Sequence, residues 1–122
     1  VSWSLLYGAS GKDQLTGGTG QDFLYGGNGA DLFIYNSAGE AGKGKMADVI
    51  GDFKSGDDHL VLNFMAGGTF IADAAFSKSG HAEVRYDQAT GTLSGDVNGD
   101  GKVDFQITFT NHVDLQAADI LF

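Results

Sequence analysis

Three aspartates stand nine residues apart, at Asp13, Asp22 and Asp31, and each closes a run of small residues. Residues 8–16 read GASGKDQLT, residues 17–25 read GGTGQDFLY, and residues 26–34 read GGNGADLFI. Gly8, Gly17 and Gly26 open the units. Ala9, Gly18 and Gly27 come second, Ser10, Thr19 and Asn28 third, Gly11, Gly20 and Gly29 fourth. Leu15, Leu24 and Phe33 hold the eighth position. A flexible glycine linker needs neither the aspartate nor the apolar residue at a fixed phase. A glycine turn exposes backbone carbonyls on its concave side, and one aspartate adds charge. That chemistry suits a hard cation. Calcium takes six to eight oxygen ligands at ~2.3–2.6 Å in irregular geometry, whereas magnesium demands an octahedron and keeps its waters. Zinc prefers thiolate and imidazole, and the chain has no cysteine and no histidine cluster.

One turn supplies only part of a calcium shell, so a second must be brought beside it. Each unit divides into a six-residue turn and a three-residue strand around one apolar side chain. Such a unit cannot bury its apolar side alone and must stack. Two units are expected to make one coil of a short right-handed parallel β-roll, with Leu15, Leu24 and Phe33 pointing inward. Units n and n+2 then share an edge. The turns at 8–13 and 26–31 are expected to hold one ion, with carboxylates from Asp13 and Asp31 and carbonyls near Gly8, Ser10, Gly27 and Gly29. The turn at 17–22, with Asp22, faces the opposite edge, where Asp48 and Asp58 are the candidates to close a second site. Without metal the stacked carboxylates repel, so the roll is expected to order only when calcium is added.

Composition agrees with this chemistry. Glycine accounts for 20 of 122 residues and proline is absent, against an average glycine usage of roughly 7%. The formal net charge is −9, which disfavours nucleic acid and anionic membranes and favours metal cations. Without cysteine no disulfide can staple the chain, and a bound cation can take that role. No apolar run approaches the ~20 residues of a membrane span. The chain opens at Val1 rather than at a methionine and so reads as a fragment, with an N-terminal catalytic domain expected ahead of it. Residues 1–122 are expected to form one domain, with the repeats at 8–34 and a C-terminal β cap at 35–122.

Downstream, residues 35–47 read as a polar loop leaving the roll. Residues 47–64 suggest two strands around a turn at Lys54–Asp58, and 72–76 a single helical turn. Alternation at 82–86, the turn signal DQATG at 87–91, and 92–97 suggest a hairpin. Val103, Phe105, Ile107 and Phe109 fall on one face of a further strand, and 119–122 forms a last one. The class is all-β, the roll continuing into a β-sandwich-like cap of antiparallel strands.

Other motifs carry less. Asp96, Asn98, Asp100 and Gly101 match the first half of an EF-hand loop, but its twelfth position is Ile107 and the flanks read as strands, so a polar hairpin turn is the preferred reading, with a weak, nonclassical calcium site as the alternative. No H-E-x-x-H and no G-x-S-x-G occurs, and His59, His81 and His112 are scattered, so no catalytic machinery is expected. Trp3, Tyr7, Tyr25 and Tyr35 are read as packing residues, with a sugar-binding stripe as the alternative.

The repeats resemble the calcium-binding nonapeptides of the RTX (repeats-in-toxin) family. The downstream chain is similar to the C-terminal domain of serralysin-type secreted metalloproteases. The resemblance rests on GADLFIY at 29–35, DVIGDFKSGDDHLVL at 48–62, VRYDQATGTL at 84–93, GDGKVDFQITF at 99–109 and the ending Asp119, Ile120, Leu121 and Phe122. It implies a secreted, extracellular module exported by a type I machine that reads those last four residues as its signal, crossing unfolded and folding outside on calcium. The attached enzyme is then a metalloprotease. The alternative is a polysaccharide-binding repeat module of the kind attached to alginate epimerases and lyases. Val61 replaces the acid usual in the family, and Lys43 and Lys45 occupy an exit loop where an acid or serine is more usual, with Glu40 left to serve there.

Overall fold

The computed structural model describes residues 3–122, with Trp3 described by its backbone alone. Among the described residues, eleven strands form two sheets. The first four are β1 (Trp3–Tyr7), β2 (Gln14–Leu15), β3 (Gln21–Tyr25) and β4 (Leu32–Tyr35). A short helix α1 (Ala38–Ala41) and a 3-10 turn at Gly44–Met46 lead to β5 (Asp48–Ile50) and β6 (His59–Leu62). The remainder comprises β7 (Thr69–Phe70), β8 (Glu83–Asp87), β9 (Thr92–Asp96), β10 (Phe105–Phe109) and β11 (Ile120–Leu121). One sheet runs β1-β3-β5-β10-β9-β8-β7 and the other β11-β6-β4-β2. Among the described residues no helix is long and apolar enough to cross a membrane.

The nine-residue period becomes a coil of two units. Trp3 lies opposite Gln21 and Gln14 opposite Leu32, both in parallel register, so each strand pairs with the strand 18 residues on. Strands of consecutive units therefore alternate between the two sheets. The parallel pairing continues past the last nonapeptide: β5 pairs with β3 and β6 with β4, offset by 26 and 27 residues because the exit loop intervenes. The segment 48–62 is thus a further coil, its two strands on opposite sheets rather than paired with each other.

Stacking aligns the apolar side chains into rows. Leu15, Phe33, Leu60 and Ile120 lie in register across the smaller sheet, and Leu24 lies beside Ile50 across the larger. All are at least nine-tenths buried. Each such side chain contributes about 1.5–3 kcal/mol by leaving water. The rows therefore hold strands of two to five residues that would not form alone.

The cap extends the roll. β10 pairs in parallel with β5 and antiparallel with β9, which pairs antiparallel with β8, so the larger sheet runs unbroken from roll to cap. The expected hairpin is β8–β9, its turn closed by the Gly91 amide donating to the Asp87 carbonyl at 2.8 Å, with Gly91 at φ +71°. Phe105, Ile107 and Phe109 are fully buried, whereas Val103 precedes the strand. Two expectations fail. Residues 72–76 form no helical turn, because their carbonyls face β8: Ala72 accepts from the Tyr86 amide, and Asp73 and Ala74 accept from the Arg85 guanidinium. The exit segment 35–47 is not a plain loop but carries α1 and the 3-10 turn. It is tied to β10 through Gln106, whose amide donates to Gly42 and whose side chain accepts from Gly44. It is tied to β3 through Gln21, whose side-chain amide donates to the Lys45 and Ala47 carbonyls.

Phe33 is completely buried, between Leu15 and Leu60 in its row and against the Phe53 ring at 5.8 Å. Phe33→Ala is expected to cost about 3–5 kcal/mol, most of a small domain's stability. Urea unfolding in calcium buffer measures it.

Candidate metal centre

Stacking at 18 residues sets turn on turn. An ideal Cβ placed on Gly27 would collide with the Ala9 carbonyl oxygen, and one on Gly29 with that of Gly11. The carbonyls of the first turn therefore press directly against the backbone of the third, and only glycine permits the approach. Gly27 and Gly29 also sit at φ +79° and +102°. Ala9, the one departure from the repeat, adopts the same left-handed backbone at φ +68°, so the turn geometry persists there at a steric cost.

The aspartates form ladders along each edge. The Asp13 amide donates to Asp31 Oδ1 at 2.9 Å, and the Asp31 amide to Asp58 Oδ1 at 2.9 Å. On the opposite edge the Asp22 amide donates to Asp48 Oδ1 at 2.9 Å. Asp48 thus stands beside Asp22, whereas Asp58 lies on the other edge, one coil beyond Asp31. The notion that Asp58 closes the Asp22 site fails because the 27-residue offset of β6 returns it to the Asp13–Asp31 edge.

The oxygens left over define the centre. Asp13 Oδ2, Asp31 Oδ2 and both carboxylate oxygens of Asp22 are buried and receive no hydrogen bond. Among the described residues, the Tyr86 hydroxyl is the only other buried side-chain polar atom in that condition. A Cβ on Gly8 would lie 2.6 Å from Asp13 Oδ2 and 2.7 Å from the Gly26 carbonyl oxygen. Cβ atoms on Gly17 and Gly26 would strike Asp22 Oδ2 and Asp31 Oδ2. Each repeat aspartate is folded back over its own first glycine. A cleft of about 380 Å³ lined by Asp13, Asp31, Asp57 and His59 opens beside the first pair. The carboxylate and carbonyl oxygens of the stacked turns form an anionic, irregular donor set that fits calcium, while Lys12 and His59 line the cleft beside them. Asp13, Asp31 and the carbonyl of Gly26 would hold the ion on one edge, and Asp22 on the other. Ser10, Thr19 and Asn28 are exposed at the turn tips. Cβ atoms on Gly11 and Gly18 would meet nothing within 4 Å. Among the described residues, the turn at 17–22 therefore has no second glycine turn packed against its Gly18 position, unlike the turn at 26–31.

The later acids are already satisfied. Asp48 Oδ2 accepts from the Tyr35 hydroxyl at 3.0 Å, and Asp58 Oδ2 from the Lys54 amide at 2.8 Å. Asp52, to which the repeat pattern assigned no role, clamps the third turn by accepting from the Gly26 and Gly27 amides at 2.9 and 2.8 Å. Only the 26-residue strand offset reveals that partnership. Glu40 is held by the Asn36 amide. At the C-terminus, Asp119 is buried and accepts from the Ser55 hydroxyl and the Gly56 amide, and Ile120 is buried, while Leu121 and Phe122 are exposed. Of the aromatic residues, Tyr35 is in the core, Tyr7 stacks on Tyr25 with ring centroids 5.0 Å apart, and the Trp3 side chain lies outside the described residues. In the segment 96–104 the Asp96 carboxylate is occupied by the amides of Gly99, Asp100 and Gly101, the geometry of a polar turn.

Burial pushes the carboxyls of Asp22, Asp31, Asp48 and Asp58 above the ordinary carboxylate value. For Asp22 the Ser4 hydroxyl and amide oppose the shift without bonding either oxygen in good geometry. For Asp31 the Asp13 amide opposes it, and the charges of Asp13 and Asp52 reinforce it. Asp48 reaches about 7, as burial outweighs the Asp22 amide and the Tyr35 hydroxyl, and the charges of Asp22 and Glu40 add to the rise. A raised folded-state pKa means that the fold favours the proton. The stabilisation is full below the unfolded value of 3.8 and is lost as pH rises through about 7. In chelator, residual β structure is therefore expected to be greater and to melt later at about pH 5 than at about pH 7.5, where little is expected to remain. Saturating calcium should reverse that order, because the proton then competes with the metal. Melting curves under the four conditions check this.

The chain matches the family described as Peptidase M10 serralysin C terminal over residues 7–122. Among solved structures it is similar to the AlgE6R2 subunit of the Azotobacter vinelandii mannuronan C5-epimerase, with 23% identity and a TM-score of 0.41, covering 98% of this chain and 86% of that one. No curated protein matches it. With the repeat ladder and the downstream coil now placed, the chain belongs to the peptidase M10 serralysin C-terminal family.

Proposed function

We propose that this chain is a non-catalytic calcium-binding module that folds on meeting extracellular calcium and supports the export and stability of an attached enzyme, a metalloprotease. One observation carries the reading. Of the buried unpaired side-chain atoms among the described residues, all but one are carboxylate oxygens of the three repeat aspartates. Leaving a buried polar atom unpaired costs about 1–3 kcal/mol, and more when it is charged. A divalent ion bound between the turns converts that penalty into ligand bonds. In the calcium-poor cytoplasm the penalty stands and the chain stays open for passage through a type I machine. Outside, calcium closes it. Lack of cysteine suits such passage, and family membership supports the attachment to a protease.

Circular dichroism with and without calcium tests the reading. β structure is expected to appear on calcium addition, and Asp31→Asn to raise the calcium midpoint by roughly tenfold or more. A full native spectrum at saturating chelator and neutral pH would sink the proposal.

A second reading gives the module a polysaccharide to hold. It rests on the Tyr7–Tyr25 stack, in which Tyr7 is 70% exposed. Alginate titration in calcium separates the two. Saturable binding lost in Tyr7→Ala supports the second, and no binding supports the first alone.

A further inference from the structure

The chain has five asparagines, and two of them, Asn28 and Asn98, are followed by glycine. The asparagine side-chain amide is thermolabile. It is lost when the next backbone nitrogen attacks the side-chain carbonyl carbon and closes a five-membered ring. A following glycine has no Cβ to obstruct that approach and leaves the backbone free to reach it. The two Asn–Gly pairs are therefore chemically alike, and the fold separates them. At Asn98 both reacting groups are held. Its side-chain oxygen accepts from the Asp100 amide at 3.3 Å, and the Gly99 amide, which would be the nucleophile, donates to the buried Asp96 carboxylate at 2.9 Å. A carboxylate beside an N–H opposes loss of its proton. Gly99 is also buried against the Gly80 backbone, where a Cβ would collide. The other asparagines precede Ser37, Phe64 and His112, and their side chains are bonded: Asn63 donates to Asn36 at 2.8 Å, and Asn111 to the Phe53 carbonyl at 2.9 Å.

At Asn28 neither group is held. Both Asn28 and Gly29 are exposed at the tip of the third turn, and neither the side chain of the one nor the amide of the other makes a hydrogen bond among the described residues. We propose that Asn28 is a site of spontaneous deamidation, left open by the fold while the pair at 98–99 is guarded. The Gly29 nitrogen gives its proton to solvent base and bonds to the Asn28 side-chain carbonyl carbon. The carbon–nitrogen bond of the side-chain amide breaks, and ammonia leaves with a proton from water. Water then opens the succinimide at either carbonyl, giving an aspartyl or an isoaspartyl residue, with no oxidant or enzyme needed. Either product adds a carboxylate to a depression already lined by Asp52 and Asp57, whose Lys54 is paired with Asp57 at 3.1 Å. The isoaspartyl product also adds a methylene to the backbone just before Gly29, which lies against the Gly11 carbonyl. That extra atom breaks the nine-residue phase and lifts the third turn off the first. Neither the ring closure nor its selectivity rests on the calcium reading.

Incubation of the full chain in mildly alkaline calcium buffer, then trypsin and mass spectrometry, tests it. The two pairs fall on separate peptides, 13–43 and 86–102. Fragmentation is expected to place the amide-to-acid mass gain of the first peptide at Asn28. It should appear roughly tenfold or more faster than the gain at Asn98, the effect of two hydrogen bonds that must break first. In urea, where the fold guards neither pair, the two rates should converge. Asn28→Gln, whose ring would need six members, should leave peptide 13–43 unchanged over the same period. The isolated isoaspartyl fraction, identified by enzymatic isoaspartyl methylation, should melt below Asn28→Asp, which carries the same charge without the added methylene. An unmodified Asn28 in the folded chain, an Asn98 that reacts as fast, or rates that still differ in urea would each overturn the proposal. An isoaspartyl fraction as stable as Asn28→Asp would overturn the consequence drawn for the turn.

Discussion

Everything in the roll depends on one stacking contact: an aspartate whose carboxylate sits directly beside the aspartate of the next coil. Each later carboxylate accepts the backbone amide of the earlier aspartate, and this sets the spacing between coils. The same contact buries like charges near one another, which low-dielectric surroundings make costly. Hydrogen bonding relieves one oxygen of Asp31 but not the other, and Asp22 has only the Ser4 hydroxyl and amide beside it. The fold therefore contains a built-in electrostatic debt, and a cation between the turns is the economical way to discharge it.

The coil at 48–62 meets the same problem with hydrogen bonds from its own chain. Asp48 and Asp58 keep the ladder contact but fill their second oxygens with the Tyr35 hydroxyl and the Lys54 amide. Asp52 adds a carboxylate that clamps the glycine turn of the preceding coil. Polar groups that are all satisfied inside the chain rigidify it. This coil gives the glycine–aspartate repeats a completed surface to stack on, continuous in both sheets.

The cap secures the end of that stack. β10 adds to the larger sheet alongside β5, and β11 adds to the smaller one alongside β6, so neither downstream roll strand is left as an open edge. Close packing inside the cap is set by backbone as much as by side chains. Gly95 lies opposite Phe105 on the neighbouring strand, and any Cβ there would enter the phenyl ring. The short strand Ile120–Leu121 is anchored by Asp119, which holds Ser55 and Gly56 and closes the turn through the Gln116 amide.

The repeat, its two-unit coil, the inward Leu15, Leu24 and Phe33, and the placing of Asp13 beside Asp31 were legible in the sequence, because a nine-residue phase of glycine, aspartate and apolar residue can satisfy backbone and core in few other ways. The β8–β9 hairpin and the β10 face were legible for the same local reason, alternation beside a turn signal. What only the tertiary structure decided was partnership across the irregular exit segment: that 48–62 is another coil, that Asp58 falls beside Asp31 and not Asp22, that Asp52 clamps Gly26, and that 72–76 lends its carbonyls to β8. Those outcomes depend on how many residues an aperiodic loop consumes before the chain rejoins the sheet, a quantity set by packing against Gln21 and Gln106 and carried by no local pattern.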